Sequence, residues 1–176
     1  MDIEIEDLFT IYWSQVTLIL LVVGYFFKRW FDNKSKKIEI NHAIYQQHRI
    51  TAINSFFEAY SKAEQMWSYL EIYEILQNDL SAKSIDKIIF PPLNELTKTS
   101  LIMNVYFSNN QYVNIKKIVD NMYSINDELS RLYFNDTKIK IVEKVNKYNI
   151  HKYKIIKENN ILLTEFMEVI KNTYKS

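Results

Sequence analysis

The stretch Leu8–Phe27, LFTIYWSQVTLILLVVGYFF, runs for twenty residues without a charge. At 1.5 Å of helix rise per residue it covers about 30 Å, the thickness of a bilayer's hydrocarbon core. Tyr12 and Trp13 lie toward one end, and Tyr25, Phe26, Phe27 and Trp30 lie at the other. That is the placement of an interfacial aromatic belt. The expectation is one membrane-spanning helix. A buried core helix is the competing reading, but such helices seldom go twenty residues without a charge. A cleavable signal peptide fits poorly, because the start is acidic and no small-residue cleavage site follows.

Charge orients the span. Asp2, Glu4, Glu6 and Asp7 precede it; Lys28, Arg29, Lys34, Lys36 and Lys37 follow it. Basic residues stay on the cytoplasmic side. The expected layout is a short acidic extracytoplasmic tail at 1–7, a transmembrane helix at 8–27, a basic juxtamembrane linker at 28–37 and a cytosolic helical domain at 38–176. The five basic residues would also meet anionic headgroups. Along one side of the span, Thr10, Ser14, Thr17 and Gly24 form a small-residue seam, with Gln15 beside it. Such seams let helices approach closely in lipid, and an amide in the membrane seeks an interhelical partner. The alternative is that Thr and Ser bond back to their own helix.

One glycine and two prolines in 176 residues leave little punctuation, which favours long helices over a turn-rich β fold. Absence of cysteine excludes disulfides, thiolate metal sites and a cysteine nucleophile. Basic and acidic residues nearly balance, 22 against 21, which argues against a general nucleic-acid binder.

Apolar spacing then predicts the helices. Ile53, Phe56, Tyr60, Ala63, Trp67 and Leu70 share one face, and Tyr69, Ile72, Tyr73, Leu76 and Leu80 continue it. The span and this helix could join into one continuous rod across Lys28 to Lys37, with Asp32-Asn33 the most plausible break. Asn78 to Ser84 reads as a turn, with Ser81 or Ser84 capping a short helix that carries Ile85, Ile88 and Ile89. Phe90-Pro91-Pro92 should end it, because the residue before proline avoids helical geometry, and Pro92 should open the next. That next helix presents Leu93, Leu96, Met103 and Phe107 and stops at Ser108-Asn109-Asn110. Gln111 to Tyr133 carries Ile115, Ile118, Met122, Ile125, Leu129 and Leu132, and breaks at Asn135-Asp136, where Asp136 or Thr137 can cap the last helix.

Lys138 to Tyr174 holds a heptad row: Ile139, Val142, Asn146, Asn149, Tyr153, Ile156, Asn160, Leu163, Met167, Ile170, Tyr174. Asparagines on such a row fix register and partner number when the row faces another helix. Ile141, Ile155, Leu162, Phe166 and Val169 widen the apolar arc. Two contacts, or one broad intramolecular core, would account for it.

Catalytic chemistry is not legible. Glu39 and His42 match one Glu-x-x-His element of a di-iron bundle, but no second copy exists and no metal or other cofactor is expected. Arg29, Arg49 and Arg131 lack the downstream His of helical nucleases. The single glycine cannot form a phosphate loop. Lys138 to Lys157 holds seven lysines against Glu143 alone, interleaved with Tyr148, His151 and Tyr153. RNA or acidic-lipid binding and a merely solvated face are the two readings.

The segment His42 to Tyr60, HAIYQQHRITAINSFFEAY, resembles the first cytosolic helix of small bacterial single-pass membrane proteins, in which a basic stretch leads into a helix bearing Arg, an apolar residue and Tyr on one face. The resemblance implies a bacterial single-pass membrane architecture, for which the flanking charges give N-terminus out in the inner membrane, and carries over no catalytic residue. A short span with a cytosolic helical sensor also looks like the membrane effectors of anti-phage systems. The expectation is therefore an all-α, non-enzymatic, membrane-anchored interaction module. Its partners would be the lipid bilayer, further copies of itself and a cytosolic protein, with nucleic acid disfavoured. The alternative is a membrane-perturbing defence effector.

Overall fold

The computed structural model describes the backbone at 5–77, 80–134 and 139–175, and side chains there except at 5–11, 14 and 173–175. The described residues are all-helical: α1 Ile5–Tyr69, α2 Ile72–Leu76, α3 Ala82–Tyr106, α4 Asn109–Phe134 and α5 Ile141–Lys175. The chain divides into two compact units, Met1–His48 and Arg49–Ser176. The expected acids Asp2 and Glu4, the Asn78-Asp79 part of the turn, and the Asn135-Asp136 break with its candidate caps lie outside the described residues.

In the first unit α1 is helical through Asp32-Asn33, so residues 28–37 follow the continuous alternative and the candidate break is absent. Asp and Asn each cost only about 0.7 kcal/mol against alanine inside a helix. No glycine or proline adds to that between Tyr25 and Phe90. The described side chains of this unit are almost all exposed, including Leu18, Ile19, Leu20, Leu21, Tyr25, Phe26 and Phe27. Among the described residues no helix is long and apolar enough to cross a membrane. The side chains of Leu8, Phe9, Thr10, Ile11 and Ser14 are outside that set. What remains, Gln15 to Phe27, falls short of the roughly twenty residues a span takes.

The second unit is a bundle around one apolar core. From α1 it takes Ala52, Ile53, Phe56, Ala59, Tyr60, Ala63 and Trp67, close to the face read from spacing. That face does not continue through Tyr69 and Tyr73, which are exposed. The helix ends instead at an inverse γ-turn centred on Glu71 (φ −77°, ψ 76°), where the Ile72 N–H donates to the Leu70 carbonyl at 2.9 Å. The turn restarts the register, so that Ile72, Ile75 and Leu76 of α2 enter the core.

Ser81 caps α3 by accepting from the Ser84 N–H at 3.3 Å. The prolines do not divide this helix: Pro91 and Pro92 lie inside it. Each removes one backbone N–H, which frees the carbonyls of Lys87 and Ile88. Both residues are exposed, so water satisfies what the helix cannot. Ile85, Ile89, Leu93, Leu96, Ser100 and Met103 meanwhile hold one buried stripe on both sides of the prolines. At the next corner the Ser108 carbonyl accepts from Tyr112, while Gln111 Oε1 accepts from the Ser108 N–H at 3.2 Å. This is half of a capping box, and it starts α4 two residues before the spacing suggested. All six apolar positions predicted for α4 are buried.

The heptad row on α5 is not the face that the bundle buries. Val142, Asn146, Asn149, Tyr153, Asn160 and Met167 are exposed, Ile156 and Ile170 are half-buried, and Leu163 is buried at the edge. The side chain of Tyr174 lies outside the described residues. The buried face is Lys144, Tyr148, Ile155, Asn159, Leu162, Leu163 and Phe166. A straight helix keeps a 3.6-residue period, and two of these positions are polar, so the true face breaks the apolar pattern while the heptad row preserves it. Aromatic packing fixes the offset, with Phe166 at 5.1 Å between ring centroids from Phe107 and 6.5 Å from Phe57. Phe166→Ala is expected to cost about 3–5 kcal/mol of stability. Met167→Ala should stay within about 0.5 kcal/mol. Urea unfolding of the two variants checks the offset, and equal losses would contradict it.

Candidate functional surfaces

The lysine tract has a structural role in part. Lys144, nearly buried, donates to the Leu132 carbonyl at 2.7 Å, and Lys152 donates to the Trp67 carbonyl at 3.3 Å. Leu132 lies in the last turn of α4 and Trp67 in the last turn of α1. Each ammonium thus closes a helix C-terminus, where free carbonyls concentrate negative charge. The Lys152 ammonium also lies 5.5 Å from the Tyr148 ring centroid, and burial lowers its pKa. Lys147 pairs with Glu143 at 3.2 Å. Lys140, Lys154 and Lys157 are left facing water. Sequence reasoning missed the capping roles because the carbonyls they reach belong to other helices.

Asn159 is fully buried. Its Oδ1 accepts from Asn121 at 2.8 Å and its Nδ2 donates to the Ile118 carbonyl at 3.4 Å, tying α5 to α4. Tyr60 approaches it from α1 without hydrogen-bond geometry. Arg49 is buried with its guanidinium carbon 4.6 Å from the Phe107 ring centroid. Arg49, Ile53, Phe56 and Tyr60, the residues of the quoted segment, all face the core. These groups order the bundle.

Among the described residues no three His, Asp or Glu side chains converge as a metal site. His42 lies 3.5 Å from the Gln46 amide nitrogen, and His151 lies 3.4 Å from Ser124 Oγ on α4. A small cleft is lined by Ile75, Ile85 and Leu129 together with Asp86, Asn126, Ser130 and Tyr133. Its polar groups carry no pair set for acid–base work.

The surfaces that stand out are apolar. On the small-residue seam of α1 Gln15 and Thr17 are exposed, and Thr17 Oγ1 donates to the Trp13 carbonyl at 2.8 Å, the local bond weighed above. A methyl group placed at Gly24 would meet no atom within 4 Å. Thr10 and Ser14 lie outside the described side chains. The basic residues Lys28, Arg29, Lys34, Lys36 and Lys37 are all exposed, and Lys34 lies 5.3 Å from the Trp30 ring centroid. On α5 the exposed side shows Val142, Ile150, Tyr153, Ile161 and Met167. A shallow groove crosses it beside Lys157, Asn160, Thr164, Glu165 and Glu168. Comparison with known protein families, with curated proteins and with solved structures finds no match.

Tyr148 supplies a test of the bundle's interior. Its hydroxyl is buried without a hydrogen-bond partner, and burial pushes its pKa well above the ordinary value of 10. The folded state therefore holds a proton that the unfolded chain releases. This contribution is full below pH 10 and is lost as the pH rises toward the folded-state value. Tyr148→Phe should match or exceed the parent at pH 7, by about 1 kcal/mol, because it removes an unsatisfied group. It should also lose less stability above pH 10. Urea titrations at both pH values check this, and a large loss at pH 7 would show that the hydroxyl is bonded.

Proposed function

We propose that the chain is a non-enzymatic, membrane-anchored interaction module that self-associates. The observation that carries the reading is the side-chain environment of the first half of α1. Between Tyr12 and Phe31 large apolar side chains are exposed on every side of the helix. A helix apolar all round is stable only inside a protein core or a bilayer. Each such side chain forfeits about 1.5–3 kcal/mol when left in water. Lipid covers them all at once. The uncharged stretch Leu8–Phe27 has the length for it, and the exposed basic residues 28–37 fit the headgroup layer on the cytoplasmic side.

The bundle is then the part that meets other proteins. Its interior is filled by packing and by helix-closing lysines, and one group of its exposed apolar side chains lies on the outer side of α5, with Ile88, Leu101, Ile102 and Val105 exposed on α3. Exposed apolar residues grouped on one side mark interaction surfaces. Copies confined to one membrane meet at high effective concentration, so modest contacts suffice for association.

Flotation with vesicles followed by alkaline carbonate extraction tests the anchor. The chain is expected to float and to resist extraction. Replacing Leu20 and Val22 with lysine should release it, since each charge at mid-membrane costs about 2.5–3.5 kcal/mol. Full recovery of the unaltered chain in the soluble fraction would overturn the reading.

A further inference from the structure

The helical course of α1 through residues 28–48 places a second surface on the first unit. Starting from the membrane seam Thr10, Ser14, Thr17, Leu21 and Gly24, the same alternation of fours and threes continues through Lys28, Phe31, Ser35, Ile38, His42 and Tyr45. Phe31, Ile38 and Tyr45 recur every seven residues and are exposed. A seven-residue repeat on a helix is the register of a two-stranded parallel coil, with alternate apolar positions as its core.

We propose that residues 28–45 form a parallel helix pair with the same segment of a second copy, as the continuation of the membrane seam. The inference rests on the reading of the chain as membrane-anchored, which sets two copies side by side with helices pointing the same way.

Charge selects both the face and the direction. With Phe31, Ile38 and Tyr45 at the core, the flanking positions on one side include Lys34 and Asn41, and on the other Asp32, Glu39 and Gln46. A parallel pair sets Lys34 of one copy against Glu39 of the other, and Asn41 against Gln46. An antiparallel pair sets Lys34 toward Lys34 and Glu39 toward Glu39, which repel. The other apolar row, Trp30, Ile40 and Ile44, would bring Arg29 of one copy against Lys34 of the other. The Phe31 row is therefore the one that attracts in parallel. Ser35 and His42 between its apolar layers keep the pair modest in strength. Lys28, at the lipid boundary, has a stem long enough to carry its ammonium out of the seam.

The chain has no cysteine, so single cysteines report without background. The full chain in phosphatidylcholine–phosphatidylglycerol vesicles is oxidised with copper phenanthroline, with one cysteine at a time along 30–45. Disulfide dimer is expected to peak at Phe31→Cys, Ser35→Cys, Ile38→Cys and His42→Cys. It should be about fivefold lower at Asn33→Cys, Lys37→Cys, Ile40→Cys and Ile44→Cys. Adding Lys34→Glu should cut the Ile38→Cys dimer, and Lys34→Glu with Glu39→Lys should restore it. A peak on the Ile40 row, yields without a seven-residue period, or failure of the double exchange to restore the dimer overturns the proposal. Flotation of the same samples separates this from the anchor: a chain that floats with aperiodic yields keeps the anchor and loses the pair.

Discussion

Apolar surface gains by leaving water, and the two parts of α1 stand differently toward that requirement. From Arg49 onward it buries one face, with Phe56, Ala63 and Trp67 fully enclosed by the bundle. Before that it exposes large apolar side chains on all sides through Phe31. The backbone is satisfied throughout by its own helical hydrogen bonds, so the two parts differ only in what surrounds their side chains. A helix is one of the few backbone forms that tolerates both settings, because it needs neither water nor a neighbouring strand to pair its peptide groups.

Polar side chains specify the bundle where apolar packing alone would leave the helices free to slide. Asn159 joins α5 to α4 through two hydrogen bonds, and Lys144 and Lys152 fasten α5 to the ends of α4 and α1. An ammonium at a partly buried helix end contributes up to about 2 kcal/mol. These contacts also account for part of a lysine-rich sequence that would otherwise suggest nucleic acid. Two of the lysines are turned inward, and a third is paired on its own helix.

Much of the fold was legible from spacing. The faces of α4 and of α1 between Ile53 and Trp67 follow a 3.6-residue period with apolar residues at nearly every core position. Across Asp32-Asn33 the sequence allows a rod or a break, and the small cost of these residues to a helix agrees with the rod. Three features were not legible. Pro91-Pro92 read as a stop because local geometry disfavours helix there. A buried stripe spanning both sides and exposed carbonyls outweigh that preference. The turn at Glu71 carries no glycine, proline or asparagine, so nothing in its local chemistry announces it. On α5 the heptad row attracted attention because it is regular, while the buried face includes Lys144 and Asn159, whose partners are distant in sequence. Of the candidate surfaces, the basic residues at 28–37 are exposed on α1. The outer side of α5 emerged only when the bundle's own face was known.

The central claim is that lipid covers the first half of α1 on every side. Site-directed spin labelling at successive single cysteines from Leu18 to Phe27, in vesicles, measures it directly. Collision with dissolved oxygen should exceed collision with a water-soluble nickel chelate at every position, with little dependence on the side of the helix. The nickel chelate should regain access near Lys28. A 3.6-residue alternation between strong and weak nickel access across Leu18–Phe27 would mean that one side of the helix faces water. That result would contradict the account.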